Sequence, residues 1–195
     1  NTFEGLIKHL FRTIKGIDFE GDFPRMTYAE AMEKYGSDKP DIRFGMEFTE
    51  LSDIAKGKGF PVFDNAETVI AINAKGCSEY TRKQLDALTE FVKRPQIGAT
   101  GLIYAKFNTD GTVKSSVDKF FTEEDLKQWG SKTAAEAGDL LLVLCGNTDK
   151  VRKQMNELRL HLGTELGLRK PDDFKPLWVL DFPLLEWDEE SVRYH

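Results

Sequence analysis

The sequence predicts an α+β fold, and three observations carry the prediction. Thr68 to Asn73, Leu102 to Phe107 and Leu140 to Leu144 are short apolar or β-branched runs of strand length. Between and around them, apolar residues recur at helical spacing over Phe3 to Ile14, Leu85 to Val92 and Val151 to Leu166. Strand pairs alternate with crossing helices, with no internal repeat and no low-complexity tract. At 195 residues, 40% hydrophobic and 31% charged, the chain suits one substantial domain or two small ones.

In chain order, Phe3, Leu6, Ile7, Leu10, Phe11 and Ile14 form the apolar stripe of an opening helix that Gly16 ends, and that stripe needs a partner. Thr27 and Glu30 make a Thr-x-x-Glu capping box, which satisfies two orphan amide donors and starts a short helix ending near Gly36. A polar loop follows, Gly36-Ser37-Asp38-Lys39-Pro40-Asp41-Ile42-Arg43, and a domain boundary is expected around residues 44 to 46. Met46 to Phe48 reads as a short strand, then a brief helix runs through Ile54, and Phe60 to Phe63 reads as strand-like. Thr68 to Asn73 is a strand, and Thr81 with Gln84 opens a helix that turns Leu85, Leu88, Phe91 and Val92 inward.

The second half repeats the order. Leu102 to Phe107 turns through Asn108-Thr109-Asp110-Gly111 into a return strand from Thr112, a helix starts at Thr122, and Leu140 to Leu144 is an apolar strand. A long helix then carries Val151, Met155, Leu158, Leu162 and Leu166 on one face until Gly167, and Arg169 to Phe174 is a linker. Leu177 to Phe182 and Leu184 to Trp187 read as strands, with Pro183 at a bend or edge because it has no amide to donate.

Composition narrows the function. A net charge of -6, with Lys and Arg dispersed among more numerous acids, argues against a chain-wide nucleic-acid surface, so any RNA contact is local. Cys77 and Cys145 lack the spacing of a disulfide framework or a zinc site and read as reduced structural thiols. No apolar run approaches the ~20 residues a bilayer needs, and the expectation is a cytoplasmic protein. The first residue is not Met and the last three are Arg193, Tyr194 and His195, which reads as a segment of something longer.

Several motifs have competing readings. Lys56-Gly57-Lys58-Gly59 lacks the frame of a phosphate loop and reads as a helix terminator. Glu186, Asp188, Glu189 and Glu190 could be imagined as a cation cluster, yet strand alternation splits them between faces and favours a solvated strand end. His9 and His161 sit in helical patterns and read as structural or surface residues, and His195, although terminal, is read against a ligand role. Arg82 and Lys83 put two cations in a helix's first turn, against its dipole, at a cost of about 0.3 to 1 kcal/mol each. Either Glu79 and Asp86 neutralise them or they bind a phosphate.

Phe23-Pro24-Arg25-Met26-Thr27-Tyr28-Ala29-Glu30-Ala31-Met32, followed by Tyr35 and the Gly36 to Arg43 loop, closely resembles the stretch after the second class II motif of bacterial-type aspartyl-tRNA synthetases. Trp178 to Glu190 is similar to the strand by which that family re-enters its catalytic sheet. Between them Thr81 to Gln84, Gly101 to Tyr104, Gly138 to Leu142 and Leu158 to Leu168 resemble the GAD insertion and the helix after it. Departures fall at Ser116-Val117-Asp118-Lys119-Phe120, where the family commonly has a Ser-Pro pair before Lys-Phe, and at Val192, where it has glycine.

The resemblance implies residues 1–45 as a catalytic-domain segment, 46–172 as a two-layer GAD-type insertion with its core near 60–150, and 173–195 as the return into the class II antiparallel catalytic sheet. It implies a parent that activates aspartate with ATP and Mg²⁺, transfers it to tRNA and forms a homodimer, with no membrane and no DNA partner. Neither catalytic nor ATP- or aspartate-binding residues of the family, nor a metal site, carry over onto this stretch, so the segment alone is expected to be inactive. Arg82, Lys83, Lys39 and Arg43 are the candidates for proximity to tRNA. An alternative is a GAD-type binding module of a tRNA-dependent amidotransferase subunit, which would have no use for the Asp38 to Asp41 loop or the Asp181-Phe182-Pro183 strand. A purely structural spacer is a third.

Overall fold

The computed structural model describes residues 2–185, 187–188 and 191–194. Glu186, Glu189, Glu190 and His195, and with them the acidic-cluster and terminal-histidine expectations, lie outside the described residues.

The chain opens with α1 (Thr2–Lys15), which Gly16 ends in the left-handed region at φ 69°. Then come β1 (Arg25–Thr27), α2 (Tyr28–Tyr35), β2 (Thr49–Glu50), α3 (Ser52–Ala55), α4 (Pro61–Asp64) and β3 (Thr68–Ala74). Next are α5 (Arg82–Val92), β4 (Ile103–Phe107), β5 (Val113–Ser115), α6 (Glu123–Lys132) and β6 (Leu140–Gly146). The chain continues through α7 (Thr148–Glu165) and β7 (Trp178–Leu180) to β8 (Trp187–Asp188) and β9 (Arg193–Tyr194). Capping boxes start α2, α5 and α6: Thr27, Thr81 and Thr122 each accept from the amide three residues on and receive that residue's side chain in return.

Five strands make one antiparallel sheet in the order β2-β3-β6-β4-β5, and β3 and β6 pair over seven residues from Thr68↔Gly146 to Ala74↔Leu140. The two central strands are apolar at consecutive positions because both their faces are covered. Ile70, Ile72, Leu140, Leu142 and Leu144 face α5 and α7, while Val69, Ala71, Leu141 and Val143 face Leu51, Phe63, Leu126 and Trp129 on the other side. Helices therefore lie on both faces of an antiparallel sheet, in keeping with the α+β expectation.

Three strand expectations fail, each for a local reason. Met46 to Phe48 is not a strand: Met46 is turned to φ 59°, and pairing with β3 begins only at Thr49. Phe60 to Phe63 gives way to the single-turn helix α4, with Pro61 in its first turn where a missing amide costs nothing. Leu184 and Leu185 lie outside strands, since Asp181 at φ 57° ends β7 and Pro183 follows. Val192, where the resembled family has glycine, sits at φ 52° between the paired β8 and β9, a conformation glycine adopts freely and valine resists.

The two flanks of the sheet domain meet. β1 and β7 pair in parallel from Arg25↔Trp178 to Thr27↔Leu180. Glu4 ties α1 to both: its carboxylate accepts from the Phe23 amide and the Trp178 indole, each at 3.0 Å, and pairs with Lys8 at 2.8 Å. The apolar stripe of α1 remains open, with Phe3, Leu6, Leu10 and Ile14 all exposed.

Candidate functional site

The loop after α2 begins at Gly36, whose left-handed φ of 66° caps the helix while its amide donates to Met32 O at 3.1 Å. Glycine is required here twice over, because a Cβ would stand 2.1 Å from the carbonyl oxygen of Arg152 in α7.

Asp41 fastens the next stretch. Its Oδ1 accepts from the Arg43 amide and Nε at 3.1 and 2.9 Å, and its Oδ2 from Arg43 Nη2 at 2.6 Å and Arg169 Nε at 3.0 Å. The Arg43 bonds above all, with Arg169 adding to them against partial burial, hold this carboxyl at a pKa of about 2. Arg43 also donates to Lys170 O at 2.9 Å, so of the four cations proposed to lie near RNA it is the one already committed to structure.

Beneath the loop lies Arg159 of α7, with no exposed surface. Its Nε donates to the carbonyls of Gly45 and Met46, each at 3.1 Å, and its Nη2 to those of Asp41, Phe44 and Gly45 at 2.9, 2.8 and 2.7 Å. The guanidinium carbon stands 4.0 Å from the centre of the Phe44 ring and 4.8 Å from that of Tyr35. Burial pulls its pKa down to about 10, which leaves it cationic at neutral pH. Only a planar, delocalised cation supplies so many donors in one plane while stacking on rings. Phe44 reaches it because Gly163 leaves room: a Cβ there would meet the ring at 2.6 Å. Tyr35 donates its hydroxyl to Glu47 at 2.8 Å and, desolvated, is pushed up to about 12.

The loop is thus clamped at 41–46 and exposed at Asp38 and Lys39, with Pro40 buried between. Lys39 is exposed, with its amide on Ser37 Oγ at 3.1 Å. Ser37 and Asp38 border a cleft of about 590 Å³ with Met32, Lys153, Asn156 and Phe182. Its walls offer hydrogen bonds and charges of both signs. Among the described residues no three His, Cys, Asp or Glu side chains converge to hold a metal ion.

Arg82 and Lys83 stand apart from this loop, in the first turn of α5 and exposed. Arg82 lies 3.9 Å from Asp86, at 94% side-chain exposure, and Glu79 forms no ion pair among the described residues, so neutralisation is partial. His161 stacks on Phe91 with centroids 4.0 Å apart and His9 is exposed. Cys77 and Cys145 are free thiols, and burial raises the pKa of both. Arg159 went unnoticed in the sequence, although its position gives it away: four residues after Met155 and three before Leu162, it falls on the apolar stripe of α7, where an arginine is buried only with partners.

The GAD domain family matches residues 62–155. Across all 195 residues the chain is 60% identical to the aspartate–tRNA ligase of Flavobacterium psychrophilum, and over 196 aligned positions it is 58% identical to that of Porphyromonas gingivalis. The aspartate–tRNA ligase of Bacteroides fragilis is 60% identical over 193 residues, 98% of this chain. In each case the chain spans about a third of the relative's length, 33%. The match runs through both flanks as well as the sheet domain, so the whole chain is similar to a GAD-containing stretch of the bacterial aspartate–tRNA ligases.

Proposed function

We propose that this chain is the GAD-bearing third of an enzyme that activates aspartate with ATP and Mg²⁺ and joins it to tRNA, in the cytoplasm and as a homodimer. The observation that carries the reading is identity of 60% extending over residues 1–61 and 156–195 as well as the GAD match at 62–155. An amidotransferase module that shared only the GAD domain would give no reason for the flanks to match, so the ligase reading is favoured.

Within that enzyme, residues 46–172 act as an inserted domain, and residues 1–45 and 173–195 belong to the catalytic domain on either side of it. The paired β1 and β7, with Glu4 bridging α1 to Trp178, support this division. The chain itself performs neither activation nor transfer. Its part is architectural, with Arg82, Lys83 and Lys39 as points of approach for tRNA phosphates and Arg43 as the residue that shapes the loop carrying Lys39. The test is ATP–pyrophosphate exchange with aspartate. The 195-residue chain alone is expected to show none and the longer protein that carries it to be active; exchange by the chain alone would refute the division of labour.

A further inference from the structure

A second cleft, larger than the one beside Ser37, is lined by Arg43 to Glu47, the stretch whose backbone Arg159 holds. It encloses about 790 Å³, within the usual size of small-molecule sites. Phe44, Met46, Leu166 and Leu168 give it apolar surface, and Asn73 of β3, Lys75 in the turn after that strand and Ala134 after α6 also line it.

Its lining carries more positive than negative charge. Arg43, Lys75 and Lys132 line it against a single carboxylate, Glu47, which already accepts from the Tyr35 hydroxyl at 2.8 Å. Lys132 is paired with Asp53, and Arg43 shares Asp41 with a second guanidinium, Arg169, so that group carries a surplus positive charge. Lys75 forms no ion pair among the described residues, and its electrostatic neighbour Asp139 already accepts from the amides of Gly76 and Glu136.

Backbone strain and an unpaired acceptor mark the wall. Met46 and Ala134, from distant parts of the chain, both line it in the left-handed region, at φ 59° and 49°. Asn73 gives its amide NH₂ to Asp139 Oδ2 at 3.0 Å and Ala134 O at 3.3 Å, both acceptors, which fixes the orientation of the amide. The Asn73 carbonyl oxygen is then buried without a partner among the described residues, an acceptor that calls for a donor and that an ionised acid does not satisfy.

We propose that this cleft binds a small amphipathic carboxylate, with its apolar body between Phe44, Met46, Leu166 and Leu168 and its acid group at Lys75. Occupancy would brace the 43–47 loop, and with it the Arg159 clamp, against the sheet. The site does not depend on the proposed ligase activity and stands or falls separately.

Decanoate is a suitable probe, titrated into the isotope-labelled chain and followed by amide NMR. Saturable shifts centred on Gly45, Met46, Asn73, Lys75, Ala134 and Leu168 are expected, with a dissociation constant of about 1 mM or tighter for a ligand of this size. Lys75→Glu, at an exposed position that should fold normally, is expected to weaken binding tenfold or more. Thr49→Trp, which fills the cleft from β2, is expected to abolish it, while Leu6→Lys on the open face of α1 leaves it unchanged. Absence of saturable shifts, shifts confined to α1, or affinity indifferent to both Lys75→Glu and Thr49→Trp would overturn the proposal.

Discussion

Replacing Arg159 by methionine keeps much of the side chain's volume and removes its charge, so it isolates what the guanidinium does. A buried ion pair exchanged wholesale for apolar groups can be neutral or stabilising. That outcome is not expected here, because the partners of Arg159 are backbone carbonyls that cannot be exchanged. Those of Asp41, Phe44, Gly45 and Met46 would stay beneath the loop without their donors, and the faces of Phe44 and Tyr35 would lose their cation. Charged hydrogen bonds contribute about 1.5 to 3 kcal/mol each, but all five come from one side chain whose own desolvation offsets much of the gain. The net loss should be about 3 to 5 kcal/mol, as for a buried charge cluster stripped of one member. With a urea m-value of about 2 to 3 kcal/mol per molar, the midpoint falls by about 1 to 2 M in denaturation followed by circular dichroism. A shift below about 0.3 M, or a gain in stability, would refute the clamp. Arg159→Lys, which keeps a charge but loses the planar fork, should recover only a minor part of the loss.

Three other perturbations test the same structure. Gly36→Ala should cost at least about 2 kcal/mol, since it forces both a left-handed alanine and a collision with Arg152 O, whereas Gly167→Ala, at φ 67° in open space, should cost only about 1; paired urea titrations separate them. Ala134→Gly should raise stability by about 1 kcal/mol, an unusual sign for that substitution, read as an increase in melting temperature. For pH, Glu4 and Asp41 fall from ordinary values of 4.5 and 3.8 to about 2, Glu4 chiefly through its bond with Lys8 and Asp41 through Arg43. Depressed carboxyl pKa values add stability that is present above those ordinary values and is lost as pH falls toward about 2. Urea midpoints measured between pH 6 and pH 2 should therefore drop on the acid side, less steeply in Glu4→Gln, and an unchanged acid slope in that variant would remove the Glu4 assignment.

Much of this was legible in the residues. Capping boxes at Thr27 and Thr81 place two helix starts without ambiguity, and the Asp110-Gly111 turn places the β4–β5 hairpin, because each signal is local. The failures at Met46 and Phe60 have the opposite origin. Tertiary demands set them: the Arg159 donors pull the 44–46 backbone into a turn, and Pro61 begins a single helical turn inside what looks like an apolar strand. The Asp38 to Arg43 stretch was legible as a polar loop after α2, but its inner structure was not. Charge content alone does not tell that Arg43 is spent on Asp41 and Lys170 while Lys39 stays open, nor that the loop's chief support lies more than a hundred residues away in α7.

For RNA approach, reversing the charges of Arg82 and Lys83 in the full-length protein should weaken tRNA binding most at low salt, and the salt dependence of binding should flatten. Unchanged affinity at low salt would remove those two residues from the interface. Aminoacylation by the longer protein proposed to carry this chain, supplied with each amino acid in turn and total bacterial tRNA, is the decisive assay. ATP-dependent charging with aspartate is expected; charging with a different amino acid, or none with aspartate, would refute the proposed function.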